Sequence, residues 1–305
     1  WSSDVCSSDL KGLLRTVADA GGWTRVRCSV KEINIENGVA TGVTLDKGEV
    51  IEADKVISSA GAIETVTRLL PKTEPMVQKW IKKFAKLKPT PCHICLHIGF
   101  EGDIRLAGAS PANQWFWTTW DCEKQIWDPT ASDAPPAILY TSYPSLKDPL
   151  HKGNHHTGEA VTFLPYNMFD RFVGTRTQKR GEEYKKLKEE ITKRTLDHLL
   201  SYMPKLKPMV RYTELSTPLS TEHYTRAYQG AIYGLEPTED RFHNPWLRPK
   251  SPIKNLYLSG SDVGSAGVIG AMVGGVLAAL AVDPVSTFKV LRTANQKKAV
   301  KMSSE

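Results

Sequence analysis

Cysteine is scarce in this chain. Five in 305 residues are too few for a disulfide scaffold at this length, and the reading is a reducing compartment, cytoplasmic or at the periphery of a membrane. No apolar run clearly fills the roughly 20 residues of a bilayer crossing. The best candidate, residues 267–282, lacks charge but is a few residues short and carries glycine at 267, 270, 274 and 275. Close packing explains those glycines, since each removes side-chain bulk where backbones meet. Acidic residues do not balance basic ones: 40 Lys and Arg face 33 Asp and Glu, for a net charge of +7. The lysines are nonetheless scattered, with adjacent pairs at such places as Lys82-Lys83, Lys185-Lys186 and Lys297-Lys298, and no aromatic platform is interleaved with them. The reading is therefore no nucleic-acid partner, with attraction to an anionic membrane surface left open.

What is present describes a globular chain, 40% hydrophobic and 24% charged, long enough for one large or two ordinary domains. The first ten residues, 1–10, match one reading frame of a common short-read sequencing adapter and are expected to be an artefact without fold information. Without Asp4 and Asp9 in that segment the charge rises from +7 to +9. Cys6 goes with it, leaving Cys28, Cys92, Cys95 and Cys122. Cys92-His-Ile-Cys95, with His93 and His97 nearby, invites a metal reading. Structural zinc needs a second ligand pair at fixed spacing, whereas the apolar run from Cys92 to Phe100 reads as a strand that sends the two thiols to opposite faces. No metal is expected.

Residues 11–71 open with a short helix and continue as a β-meander, with turns at Glu36-Asn-Gly38 and Asp46-Lys-Gly48 between alternating runs. Residues 72–230 change character. They are rich in aromatics, among them Trp115, Phe116, Trp117, Trp120, Trp127, Tyr140 and Tyr143, and hold an amphipathic helix over about 181–203 with Tyr184, Leu187, Ile191 and Leu199 on one side. Residues 231–290 return to the first domain, and 291–305 form a polar, lysine-rich tail.

The most informative stretch is 255–282. Leu256 to Leu258 reads as a short apolar strand, followed by a glycine-rich turn with one carboxylate, Asp262, and a small-residue helix from about Gly267. Unpaired helix-start amides and the positive end of the dipole face the turn, which suits an anionic or electron-rich ligand. A carboxylate just before them suits a ribose or ribityl hydroxyl as donor. A nucleotide cofactor follows, and a flavin fits best.

These residues resemble the phytoene desaturase, carotenoid isomerase and retinol saturase group of FAD-dependent oxidoreductases. The likeness rests on Leu256-Tyr-Leu-Ser-Gly-Ser-Asp262 with its glycine-rich helix, on Gly230-Ala-Ile-Tyr-Gly234 after Thr217-Pro-Leu219, and on Ala53-Asp-Lys-Val-Ile-Ser-Ser-Ala-Gly61, three matches in family order. The resemblance implies an α/β fold with an α+β substrate region. A partial FAD-binding Rossmann-like domain with a β-meander (residues 11–71 and 231–290) would join an antiparallel-sheet and helix substrate domain (72–230). It implies FAD as cofactor, with NAD(P) as a candidate electron donor or acceptor. Cofactor contacts would come from Val30, Gly260, Asp262, Gly267, Val268 and Ile269, and substrate contacts from Tyr233 and Trp117. The family opens with a strand and Gly-x-Gly-x-x-Gly for the pyrophosphate, and no such fingerprint precedes Lys11. The expected object is an N-terminally truncated flavoenzyme acting on carbon–carbon bonds of a lipophilic isoprenoid by desaturation, saturation or isomerisation. No catalytic side chain is singled out. Two alternatives remain open: a flavoenzyme of the amine-oxidase or protoporphyrinogen-oxidase kind, and a peripheral membrane binding or interaction protein.

Overall fold

The computed structural model describes residues 12–177 and 179–302, without the side chains of Cys122 and residues 294–302. The adapter-like segment 1–10 lies outside the described residues. In chain order the elements are α1 (residues 12–19), β1 (Val30–Glu36), β2 (Val39–Leu45), β3 (Val50–Glu52) and β4 (Val56–Ser58). There follow α2 (Ala62–Glu64), continuing as a π-helical turn Thr65–Leu69, then α3 (Pro75–Phe84), β5 (Cys92–Glu101), β6 (Gln114–Trp117) and β7 (Ile138–Ser142). Next are α4 (Pro144–Lys147), β8 (His155–Leu164), α5 (Glu182–Tyr202), β9 (Val210–Ser216) and α6 (Pro218–Thr225). The chain closes with α7 (Glu239–His243), β10 (Leu256–Leu258), α8 (Gly267–Val282) and α9 (Pro284–Met302). No helix among the described residues is long and apolar enough to cross a membrane.

Two compact units divide these elements. The meander unit comprises Arg27–Thr90 and the chain from Arg226 onward; the sheet unit comprises Pro91–Thr225 with the described residues up to Val26.

In the meander unit β1, β2 and β3 form an antiparallel sheet with Ile33 opposite Val43. Asn37 and Gly38 both adopt positive φ, 50° and 76°, the conformation a two-residue hairpin turn of the right twist requires. β4 and β10 pair in parallel, Val56 against Leu256, across 200 residues of sequence. All three β10 residues are buried, as a parallel strand covered on both faces demands. α3 places Val77, Trp80 and Phe84 at helical spacing into the same core as Val66, Leu69 and Leu247. The compact meander unit therefore runs on past residue 72, to Thr90. The lysines on the outer face of α3 made it resemble the start of a new region, while its apolar stripe belongs to the old one.

The sheet unit is built on five antiparallel strands in the order β6-β7-β8-β5-β9. One face, with Ile94, Leu96, Ile98, Leu139, Ala160 and Leu164, packs under Tyr184, Leu187, Ile191 and Leu199 of α5. Those four lie three or four residues apart, or a multiple of that, the spacing that puts one helix stripe on a core. Alternation along β5 sends Cys92 and Cys95 to opposite faces, and both thiols are buried.

Candidate functional site

Two strand-turn-helix segments lie side by side in the meander unit. β4 runs through Ser59-Ala60-Gly61 into α2, and β10 runs through the turn 259–266 into α8. Because the strands are parallel, both turns open at their carboxyl ends, the place where open α/β sheets bind ligands.

Asp262 joins these turns. Its Oδ2 accepts the Ala62 N–H at 2.7 Å and its Oδ1 accepts the Leu235 N–H at 2.8 Å. The carboxylate thus caps the start of α2, where the N-cap Gly61 offers no side chain and where the positive end of the helix favours an anion. Sequence reading set this carboxylate against the amides of its own following helix and left it open to a hydroxyl. The structure buries Asp262, at 6% exposure, and spends both oxygens on backbone donors from two other segments. Gly234 explains itself by the same contact: its φ is +76° and a Cβ there would meet Asp262 Oδ1 at 2.2 Å.

Arg241, on α7, is buried beside this clamp and donates to the Leu235 and Ser261 carbonyls. Burial lowers the guanidinium from its ordinary value, and the Asp262 charge opposes that shift. Nothing in the sequence marks Arg241, because one arginine in a short polar helix looks like any surface cation. Thr90 was missed as well. Its hydroxyl donates to the Gly234 carbonyl at 3.0 Å and accepts the Tyr233 N–H at 3.0 Å. Arg226 and Gln229, just before the Gly230–Gly234 segment, take left-handed φ values of 59° and 51°, an arrangement that costs roughly 1–2 kcal/mol per residue.

The start of α8 has a different character. Its N-cap Ala266 provides no side-chain cap, Gly267 has φ +84° with open space where a side chain would stand, and Val268 and Ile269 are 70% and 73% exposed. Orphan helix-start amides of this kind are satisfied by water or by a ligand. Behind them the helix is pressed onto the turn: a Cβ at Gly274 would lie 2.1 Å from the Gly260 carbonyl, and one at Gly270 1.8 Å from that of Ser265. Gly260 itself has φ +95°. Val30 opens β1, half-buried, and its carbonyl accepts from Arg68 at 3.3 Å. Gly260, Asp262, Gly267, Val268 and Ile269 are therefore neighbours in one turn and helix start, with Val30 on the meander. Of the two substrate-side residues, Tyr233 belongs to the meander unit and is 43% exposed, and Trp117 belongs to the sheet unit.

In the sheet unit the second face of the five strands carries Trp115, Trp117, Tyr140, Cys95, His97 and Glu159 by register. Cys95 Sγ lies 3.8 Å from His97 Nδ1, which is 3.7 Å from Glu159 Oε1. His97 Nε2 is 3.2 Å from Ser216 Oγ. The ligand atoms of Cys95, His97 and Glu159 lie within 4.8 Å of one another, the one such group among the described residues with metal-ligand chemistry. Burial, reinforced by Glu159, pushes the Cys95 thiol up to about 12, and burial holds His97 below its ordinary value against the pull of Glu159. Neutral thiol and neutral imidazole are the resulting forms. The sequence signal that could have found this group is period two: His93, Cys95 and His97 alternate with apolar residues along one strand.

The sequence profile of flavin-containing amine oxidoreductases matches residues 9–283. An all-trans-retinol 13,14-reductase of Danio rerio is 29% identical over 280 residues, 86% of this chain and 46% of the relative. A chloroplastic prolycopene isomerase of Daucus carota is 26% identical, covering 74% of this chain and 34% of the relative. Among solved structures, a redesigned putrescine oxidase superposes with TM-score 0.52 at 16% identity, over 88% of this chain and 51% of that one. The chain spans about half the length, or less, of the proteins it matches.

Proposed function

The chain belongs to the family of flavin-containing amine oxidoreductases, and from that membership we propose that it is part of an FAD-dependent oxidoreductase acting on carbon–carbon bonds of a lipophilic isoprenoid. The observation that carries the reading is the open, uncapped start of α8 at Gly267–Ile269 beside a turn held rigid by Asp262. Bound FAD would supply the hydride chemistry. The residues of this chain would hold it. The amides of Gly267, Val268 and Ile269 would face its electron-rich edge, the glycine backbone at Gly260 would let it approach closely, and the backbone at Val30 would meet the adenine. Asp262 acts mainly by position: with two of its acceptor sites already spent, it fixes the turn and leaves the remaining lone pairs for a ribityl hydroxyl.

Residues 72–230 would supply the substrate region, with Trp117 as its candidate substrate contact, and Tyr233 is the candidate on the meander unit. NAD(P) is the candidate electron partner. Two relatives named for retinol and prolycopene support an isoprenoid over an amine, and the basic surplus supports attraction to the membrane in which such substrates dissolve. The test is to purify the longest product of the gene and assay it with all-trans-retinol and with carotenes. Bound flavin and a changed double-bond count in one of these substrates are expected. Protein without flavin, whose spectrum is unmoved by added FAD, defeats the proposal.

A further inference from the structure

The second face of the five-stranded sheet, part exposed and part buried, has a composition that an ordinary solvent face lacks. Trp115, Trp117 and Tyr212 stand on it 55%, 42% and 60% exposed, together with half-buried Tyr140. Trp115, Tyr140, Val161 and Cys95 lie opposite one another across four successive strands. Three spacings of about 4.8 Å make that row ~14 Å long, the reach of a retinoid-sized polyene. At its inner end, one register step from Cys95, stand His97 and Glu159, directly paired across β5 and β8. The next carboxylate on that face, Glu214, is already joined to Lys188 at 2.6 Å.

We propose that His97 and Glu159 recognise the hydroxyl end of an isoprenoid alcohol lying along this aromatic face, which makes the substrate an alcohol and not a hydrocarbon or an acid. The inference deepens the isoprenoid reading above and rests on it. His97 Nδ1 and Glu159 Oε1, 3.7 Å apart, are too distant for a hydrogen bond to each other. One oxygen about 2.8 Å from each closes the triangle with ordinary hydrogen bonds. That oxygen must donate to the carboxylate and accept from the ring N–H, and a hydroxyl does both. In the tautomer in which Ser216 Oγ, 3.2 Å from Nε2, donates to that nitrogen, the ring proton stands on Nδ1, facing both the site and Cys95 Sγ at 3.8 Å. Glu159 has further lone pairs for its other interactions. A substrate carboxylate in the same place would meet Glu159 with like charge. A hydrocarbon would desolvate both groups and return nothing, the situation in which sites built for a hydroxyl discriminate most strongly.

The experiment measures binding of all-trans-retinol, its deoxy hydrocarbon analogue and retinoic acid to the 305-residue chain by quenching of tryptophan fluorescence. Retinol is expected to bind at least about tenfold more tightly than either analogue, one charge-assisted hydrogen bond's worth. Glu159→Gln and His97→Phe should bring retinol down to the level of the hydrocarbon and leave hydrocarbon affinity unchanged, and Trp117→Ala should weaken all three. Circular dichroism establishes that each variant is folded; if one is not, the selectivity of the unaltered chain decides alone. Equal affinity for retinol and hydrocarbon overturns the inference and leaves the isoprenoid reading standing. Failure of all three ligands to bind removes both. Zinc retained at one equivalent and lost in Cys95→Ser would assign these side chains to a cation and also overturn the inference.

Discussion

Asp262 was legible as a residue, and its two backbone partners were not. Its place between a strand and a helix start announced a carboxylate with work to do, but which amides it meets depends on Ala62 and Leu235, 200 and 27 residues away. Local pattern carries no information about such partners. Asp262→Ala should strand two buried N–H donors and leave Arg241 without its counter-charge, at a cost on the order of 3 kcal/mol or more. Urea unfolding of the variant checks this, and a loss below about 1 kcal/mol would show that the clamp is dispensable. His93, 7% exposed, was noticed in the sequence only as a zinc temptation. Burial lowers its pKa from 6.5 to about 4, and its Nδ1 has no partner. The folded value lies below the unfolded one, so the unfolded chain takes up the proton first. The His93 contribution is complete above pH 6.5, declines as pH falls toward 4 and changes no further below that. His93→Phe should make the slope of stability against pH shallower by about 1.4 kcal/mol per pH unit within that window. Urea midpoints measured across it supply the test.

Elements were read best where a period was long. The stripe of α5, the alternation of β5 and the hairpin at Asn37-Gly38 all appear where sequence placed them, because each is fixed by neighbours within a few residues. α3 was harder to place, since its charged face is local while its buried Trp80 belongs to a core shared with residues as distant in sequence as Leu247. The glycines of α8 were expected to mark close packing, and the structure separates the two that do, Gly270 and Gly274, from the two that do not, Gly267 and Gly275. Gly274→Ala would force a methyl to within 2.1 Å of the Gly260 carbonyl, whereas Gly275 has nothing within 4 Å. The first change should lower stability by about 3 kcal/mol or more through overpacking against backbone, and the second should leave it unchanged or raise it by up to about 1 kcal/mol through helix propensity. Thermal midpoints of the two variants decide; similar values would mean that the helix does not press on the turn.

At the scale of the molecule, composition showed only a globular chain and family likeness supplied the α/β class, while the parallel pairing of β4 with β10 is fixed across 200 residues that no periodicity spans. The proposed nucleotide site draws on the turn, the helix start and the meander, and the 305-residue sequence holds no Gly-x-Gly-x-x-Gly loop before Lys11. Pyrophosphate contacts carry much of dinucleotide binding, so the 305-residue chain mixed with FAD should emerge colourless from a desalting column. Flavin retained at one equivalent would mean that these segments suffice.

The parallel partnership of Val56 with Leu256 has a consequence for synthesis. The sheet unit, Pro91–Thr225, is emitted whole between the two strands. At ribosomal rates of about 5–20 residues per second, β4 waits ~10–40 s for its mate. During that interval the nascent β4 segment has no β10 to cover it, so newly made chains are most in need of chaperone shelter before Asp262 has been translated.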